Sequence, residues 1–180
     1  MKKLAMILGL ASLFASGTTM ATEGRVKGTG TVAANTCTIK AADAMTVAFE
    51  LDPVYSNSLK AEGKTAGAKD FSIVLENCPI KSKDGSRNVK LVFVKDSHVD
   101  DATGNLKDTS NAANIAKNVQ FQVLHNGAVV NFNQAELQKA LASKNNVDEV
   151  SFDFTAQYYA TGVAEAGSLS SSIPFRIEYE

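Results

Sequence analysis

The sequence has no tryptophan, three prolines, two histidines and two cysteines in 180 residues. Without tryptophan, the antibody-type core in which an indole packs on the inter-sheet disulfide is ruled out. Two histidines leave little from which to build a zinc or copper centre. Charge of one sign is also missing: 18 Lys and Arg stand against 19 Asp and Glu, for a formal charge of -1. No basic excess is available to neutralise a phosphate backbone or a lipid surface, so nucleic-acid and charge-driven membrane binding find no support. What is present is a composition of 44% hydrophobic and 21% charged residues, the balance of one globular domain with little room for a second.

The first residues read as a leader and not as fold. Lys2 and Lys3 precede an apolar run from Leu4 to Ala15, and small residues follow, the layout of a secretory signal peptide. The run is shorter than the roughly 20 residues that span a bilayer. Cleavage after Ala21 is favoured, giving a leader of residues 1–21, with a cut after Gly17 as the alternative. Removing residues 1–21 takes away two lysines and no acid, leaving 16 basic against 19 acidic residues. Export meets an oxidising compartment, so Cys37 and Cys78 are expected to form one disulfide. The loop so closed, about 40 residues long, corresponds to roughly 4 kcal/mol of chain-entropy stabilisation.

Alternation with period two dominates the rest. Val47, Phe49 and Leu51 share a strand face, as do Phe71, Ile73 and Leu75, then Val89, Leu91 and Phe93, then Val119, Phe121 and Val123. Phe152, Phe154, Ala156 and Tyr158 continue the pattern, and Ile173, Phe175, Ile177 and Tyr179 close it. Asn126-Gly127 signals a type I' hairpin, because both central residues of that turn need positive φ. One segment departs from alternation: Asn133 as N-cap, Glu136 in a capping box, and Leu137, Ala140 and Leu141 at helical spacing predict a short amphipathic helix in a loop. Polar, glycine-bearing stretches at Glu62–Lys69, Ile80–Arg87 and Asp96–Ala113 are read as connecting loops. Seven or eight strands with one short helix predict an all-β, immunoglobulin-like antiparallel sandwich in which the disulfide ties early strands together.

Catalytic chemistry finds little support. His98 has only Asp100 and Asp101 near it in sequence, and a solvated polar loop explains it better than a metal site. His125 sits beside the hairpin turn, where an exposed side chain is expected. Gly28-Thr29-Gly30 lacks the helix that a phosphate-binding glycine loop requires. Tyr158 and Tyr159 fall on opposite strand faces, as one core and one surface tyrosine would. The expectation is a protein that is not an enzyme and takes no cofactor or metal.

The segments together resemble a known family, the subunits of fimbriae assembled by the chaperone-usher pathway, and within it the type 1-like major pilins. The resemblance is carried by Gly28-Thr-Gly-Thr-Val-Ala-Ala-Asn-Thr-Cys37-Thr-Ile39, Phe71-Ser-Ile-Val-Leu-Glu-Asn-Cys78, Asn118-Val-Gln-Phe-Gln-Val, and Phe154-Thr-Ala-Gln-Tyr-Tyr-Ala-Thr-Gly162 leading to Ile173-Pro-Phe-Arg-Ile-Glu-Tyr-Glu180. It covers nearly all of the chain beyond the leader. The departure from the usual type 1 pattern lies ahead of Cys37, where the segment is shorter and richer in glycine and lacks a bulky aromatic near Gly28.

The resemblance implies an incomplete sandwich, a pilin domain of residues 28–180, whose missing strand leaves an apolar groove beside an open sheet edge. It implies a donor extension of residues 22–27 running into the domain, with Thr22, Gly24, Val26 and Gly28 facing the groove of a neighbouring subunit and Glu23, Arg25 and Lys27 facing out. Ile173, Phe175, Ile177 and Tyr179 would line the acceptor groove and meet the strand lent by a periplasmic chaperone, which would also hold the Glu180 carboxylate. An outer-membrane usher would exchange the chaperone strand for the next subunit's extension. The implied protein is the major structural subunit of a fimbria on a Gram-negative surface that supports adhesion, with any host receptor bound by a separate tip adhesin. A minor adaptor subunit, or a self-contained exported sandwich that binds a ligand, is the alternative.

Overall fold

A strand buried on one face needs apolar side chains at every second position, and the alternating runs become strands in turn, except that Val47, Phe49 and Leu51 lie on extended chain outside any strand. The computed structural model describes residues 37–41, 46–78, 86–110, 112–142 and 149–179. The predicted leader, the donor residues Thr22, Gly24, Val26 and Gly28, and Glu180 lie outside the described residues. The strands are β1 (Thr38–Ile39), β2 (Thr65–Glu76), β3 (Ser86–Phe93), β4 (Lys117–His125), β5 (Ala128–Val129), β6 (Glu136–Ala142), β7 (Val150–Glu165) and β8 (Phe175–Tyr179). They form a five-stranded sheet in the order β1-β2-β7-β4-β5 and a three-stranded sheet in the order β6-β3-β8. Every pairing between these strands is antiparallel.

The register follows the hydrophobic pattern. Phe71, Ile73 and Leu75 of β2 stand opposite Phe154, Phe152 and Val150 of β7. Between them, Ser72 donates to Asp153 Oδ1 at 2.7 Å and Thr155 to Asp70 Oδ1 at 2.6 Å on the solvent face. A one-residue slip would exchange the two faces, so this register is strongly specified. The inner faces meet through aromatic rings. Phe71 stacks on Phe49 at 4.9 Å and on Phe154 at 5.2 Å, and Phe93 of the second sheet meets Phe132 edge-on at 5.0 Å. Leu75, Val89, Leu91, Phe132 and Phe152 are fully buried at the centre. Each such side chain contributes about 1.5–3 kcal/mol of burial energy.

The Asn126-Gly127 hairpin forms as the dipeptide predicts, with φ of +51° and +79° and Leu124 and His125 opposite Val129 and Ala128. Cys37 and Cys78 are bridged and join the flanks of β1 and β2, the early strands expected.

Three local expectations are corrected. The predicted helix after Asn133 is strand β6, paired to β3 from Val92↔Glu136 to Ser86↔Ala142. Tertiary pairing outweighs the local helical signal here, because without β6 one whole edge of β3 would lack partners. Glu136 pairs with Lys90 at 2.9 Å instead of capping, and Asn133 Nδ2 donates to the carbonyls of Asp100 and Asp101. Secondly, the stretch Glu62–Lys69 is not all loop: β2 begins at Thr65 and carries an irregularity between Ala66 and Lys69, where Gly67 has φ of +66°. A glycine-bearing bulge hides a strand from periodicity. Finally, His125 is half-buried and not exposed, its ring lying 5.2 Å from that of Phe154.

Candidate functional site

β8 lies at an edge, and its chemistry follows from the phase of its ladder. Val89, Leu91 and Phe93 of β3 stand opposite Tyr179, Ile177 and Phe175. The Val94 N–H donates to the Pro174 carbonyl at 2.8 Å, which makes 94/174 a hydrogen-bonded pair. In an antiparallel ladder such pairs alternate with non-bonded ones, so Arg176 and Glu178 exchange bonds with β3 while the backbone of Phe175 and Ile177 points the other way. Among the described residues β8 pairs with β3 alone. Arg176 and Glu178 carry the outward side chains and bond each other.

Beside this edge lies a cavity of about 680 Å³. Both sheets build it. Phe71 and Ile73 of β2 and Phe121 and Val123 of β4 form one wall, and Phe93, Phe132, Ile173 and Phe175 form the other. Val47 and Phe49, on the chain ahead of β2, close a third side. Its polar lining gathers at Thr46, Asp96 and Ser170 to Ser172, and the Ser171 hydroxyl oxygen is buried without a partner among the described residues. A second cavity of about 410 Å³ shares Phe49, Phe121 and Leu169 with the first and continues over Leu51, Val54, Leu59, Val119 and Tyr158. Burial pushes the Tyr158 phenol up, with the nearby Asp52 and Glu50 carboxylates adding to the effect.

The wall from Leu169 to Ile173 belongs to no strand among the described residues, and loops hold it. Asp108 Oδ1 accepts from the Ser170 N–H at 2.7 Å, the Thr109 N–H donates to the Ser170 carbonyl at 2.9 Å, and His98 Nδ1 donates to the Ser172 carbonyl at 2.8 Å. His98 is thus a structural pin, its own N–H bonded to Asp96 Oδ1 at 2.8 Å. Among the described residues, no three His, Cys, Asp or Glu side chains gather where they could hold a metal ion.

Of the predicted acceptor residues, Ile173 and Phe175 line the larger cavity, while Ile177 and Tyr179 do not. Ile177 stands opposite Leu91, and the Tyr179 hydroxyl accepts the Cys37 N–H, tying the end of β8 to the disulfide. Sequence reasoning missed Val47 and Phe49 as groove walls, although their alternation with Leu51 was visible. It also missed Leu169 and Ser171, which no periodic pattern marks. The arrangement can bury every second side chain of an extended peptide while the β8 edge supplies backbone hydrogen bonds.

A family model described as fimbrial protein matches residues 21–180. The F17 fimbrial protein of Escherichia coli is 33% identical over 183 residues, covering 100% of both chains. The major fimbrial subunit SMF-1 of Stenotrophomonas maltophilia is 32% identical over 88% of this chain and 94% of its own. Among solved structures, the P pilus rod subunit PapA aligns with a TM-score of 0.59 at 23% identity, over 80% of this chain and 99% of that one. A chaperone-usher pilus subunit aligns with a TM-score of 0.60 at 22% identity, over 88% and 96%. These two likenesses establish a shared fold.

Proposed function

The chain belongs to the fimbrial protein family, a family of structural subunits and not enzymes, and from that premise we propose that it is the major, repeating subunit of a surface fimbria, polymerised by donor-strand exchange. The observation that carries the reading is the apolar groove beside β8, where Phe175 and Ile177 direct their backbone away from β3. A periplasmic chaperone lends a strand to this edge, and an outer-membrane usher exchanges it for the extension of the next subunit on the surface of a Gram-negative cell. The donor residues are Thr22, Gly24, Val26 and Gly28, and the acceptor residues are Ile173, Phe175, Ile177 and Tyr179, with Glu180 reaching the chaperone. Support for a rod subunit over an adaptor comes from relatives described as major fimbrial subunits, whose similarity runs through most of both chains.

Deletion of residues 22–27 tests the reading. The shortened subunit is expected to stay as a chaperone-bound or peptide-rescued monomer and to form no polymer, while a synthetic peptide spanning residues 22–30 restores its stability without chaperone. Polymer formation by the shortened chain at the full-length yield would overturn it.

A further inference from the structure

The β4–β5 hairpin places three groups together that the assembly reading does not use. Asn126 and Gly127 form the turn, both exposed and both at positive φ. A Cβ added to Gly127 would meet nothing within 4 Å, so the turn is open at its Cα. His125 precedes them with its ring fixed against Phe154.

The tautomer of His125 follows from its partners. Nδ1 lies 2.8 Å from the Asp153 carbonyl oxygen, which can only accept, so Nδ1 carries the proton. In the neutral ring Nε2 is then a bare lone pair. It lies 3.1 Å from Nδ2 of Asn126, whose N–H donates to it. The side-chain amide nitrogen of Asn126 is therefore held on the imidazole nitrogen that faces away from Asp153.

We propose that Asn126 is a site of self-catalysed deamidation, with the Gly127 backbone nitrogen as nucleophile and His125 as the proton carrier to the departing amide nitrogen. The Gly127 nitrogen forms a bond to Asn126 Cγ and gives its proton to solvent. Nε2 takes a proton from solvent and passes it to Nδ2 as the Cγ–Nδ2 bond breaks, so that ammonia leaves and the imidazole ends neutral as it began. The proton that solvent supplies at Nε2 equals the one that Gly127 gives up, and the step balances. Water then opens the cyclic imide at either carbonyl, yielding aspartate or isoaspartate at position 126. No oxidant, metal or partner is required. The turn lies at the end of a short arm, held to β4 by the pairs Leu124↔Val129 and His125↔Ala128 and by the Val130 N–H on the Val123 carbonyl, and local opening at such a hairpin tip admits the attack. The product carries a new negative charge at an exposed hairpin tip.

The test uses the full-length chain recovered from expressing cells and incubated at neutral pH, followed by peptide mass spectrometry in normal and oxygen-18 water. The peptide containing Asn126 is expected to gain about one mass unit and one oxygen from water, faster than any other asparagine-bearing peptide. His125→Gln, which keeps a hydrogen-bonding side chain but cannot take up and pass on a proton, is expected to slow conversion roughly tenfold. His125→Phe, which retains a ring against Phe154, serves the same comparison if the glutamine variant does not fold. In urea, where the hairpin is lost, wild type and variant are expected to converge. Absence of conversion at Asn126, or an equal folded-state rate with and without His125, would overturn the proposal.

Discussion

The carboxylate of Asp100 closes the loop that it begins. Its Oδ1 accepts from the backbone N–H groups of Thr103 at 2.9 Å and Ala102 at 3.1 Å, and the Thr103 hydroxyl stands 3.0 Å away. These bonds, the Thr103 N–H foremost, hold the Asp100 carboxyl below its ordinary range. A depressed carboxyl binds fewer protons in the folded state than in the unfolded one. Its stabilisation is therefore fully present above the unfolded pKa of about 3.9 and is lost as pH falls through the lower folded value. Asp100→Asn is expected to flatten the acid limb of thermal stability in donor-complemented subunit, read as melting temperature against pH; an unchanged acid limb would remove Asp100 from the account. The cysteine pair belongs to the same scale. Cys37→Ser with Cys78→Ser removes a constraint worth roughly 4 kcal/mol from a fold that, on the proposed function, awaits a donor strand, and little chaperone-bound subunit is expected in the periplasm on an immunoblot. Normal fibre yield from the double variant would make the bridge dispensable.

Among elements, β8 divides its residues by face, and the division is testable. Phe175 and Ile177 pack against the core, whereas Arg176 and Glu178 face outward. Replacing Phe175 or Ile177 by serine removes half-buried apolar groups packed against the core and is expected to abolish fibres. Serine at Arg176 or Glu178 is expected to leave fibre yield within roughly twofold, the usual cost of an exposed change being small. Equal losses on both faces, measured by quantitative blot of sheared material, would contradict the assignment. Much of this element order was legible in the sequence, because alternation at Phe71 to Leu75, Val89 to Phe93 and Phe152 to Tyr158 needs only one buried face. The hairpin was legible for a different reason, since Asn126-Gly127 suits a backbone geometry that few residues tolerate. β6 was not, because its helical spacing is a local property and the demand for a partner on β3 is not. The start of β2 escaped notice because Gly67 sits where the pairing slips.

At the scale of the molecule, the groove exists only once both sheets are assembled. Phe49, Phe71, Phe93, Phe132 and Phe175 are far apart in sequence and meet around one cavity. Ile173 and Phe175 could be placed there from the chain end alone, but Leu169 and Ser171 could not, since loops anchored by Asp108 and His98 position that wall. A wall this apolar, beside a strand edge, invites aggregation unless another strand covers it. The central claim is that the covering strand comes from the next subunit, which makes the polymer a chain of completed folds that separate only by unfolding. The direct measurement is an immunoblot of material sheared from expressing cells, run in SDS both unheated and boiled. The account predicts a ladder of multiples in the unheated lane that collapses to monomer on boiling. Monomer in both lanes, with soluble folded protein in the periplasm or medium, would contradict it and point to a sandwich complete in itself.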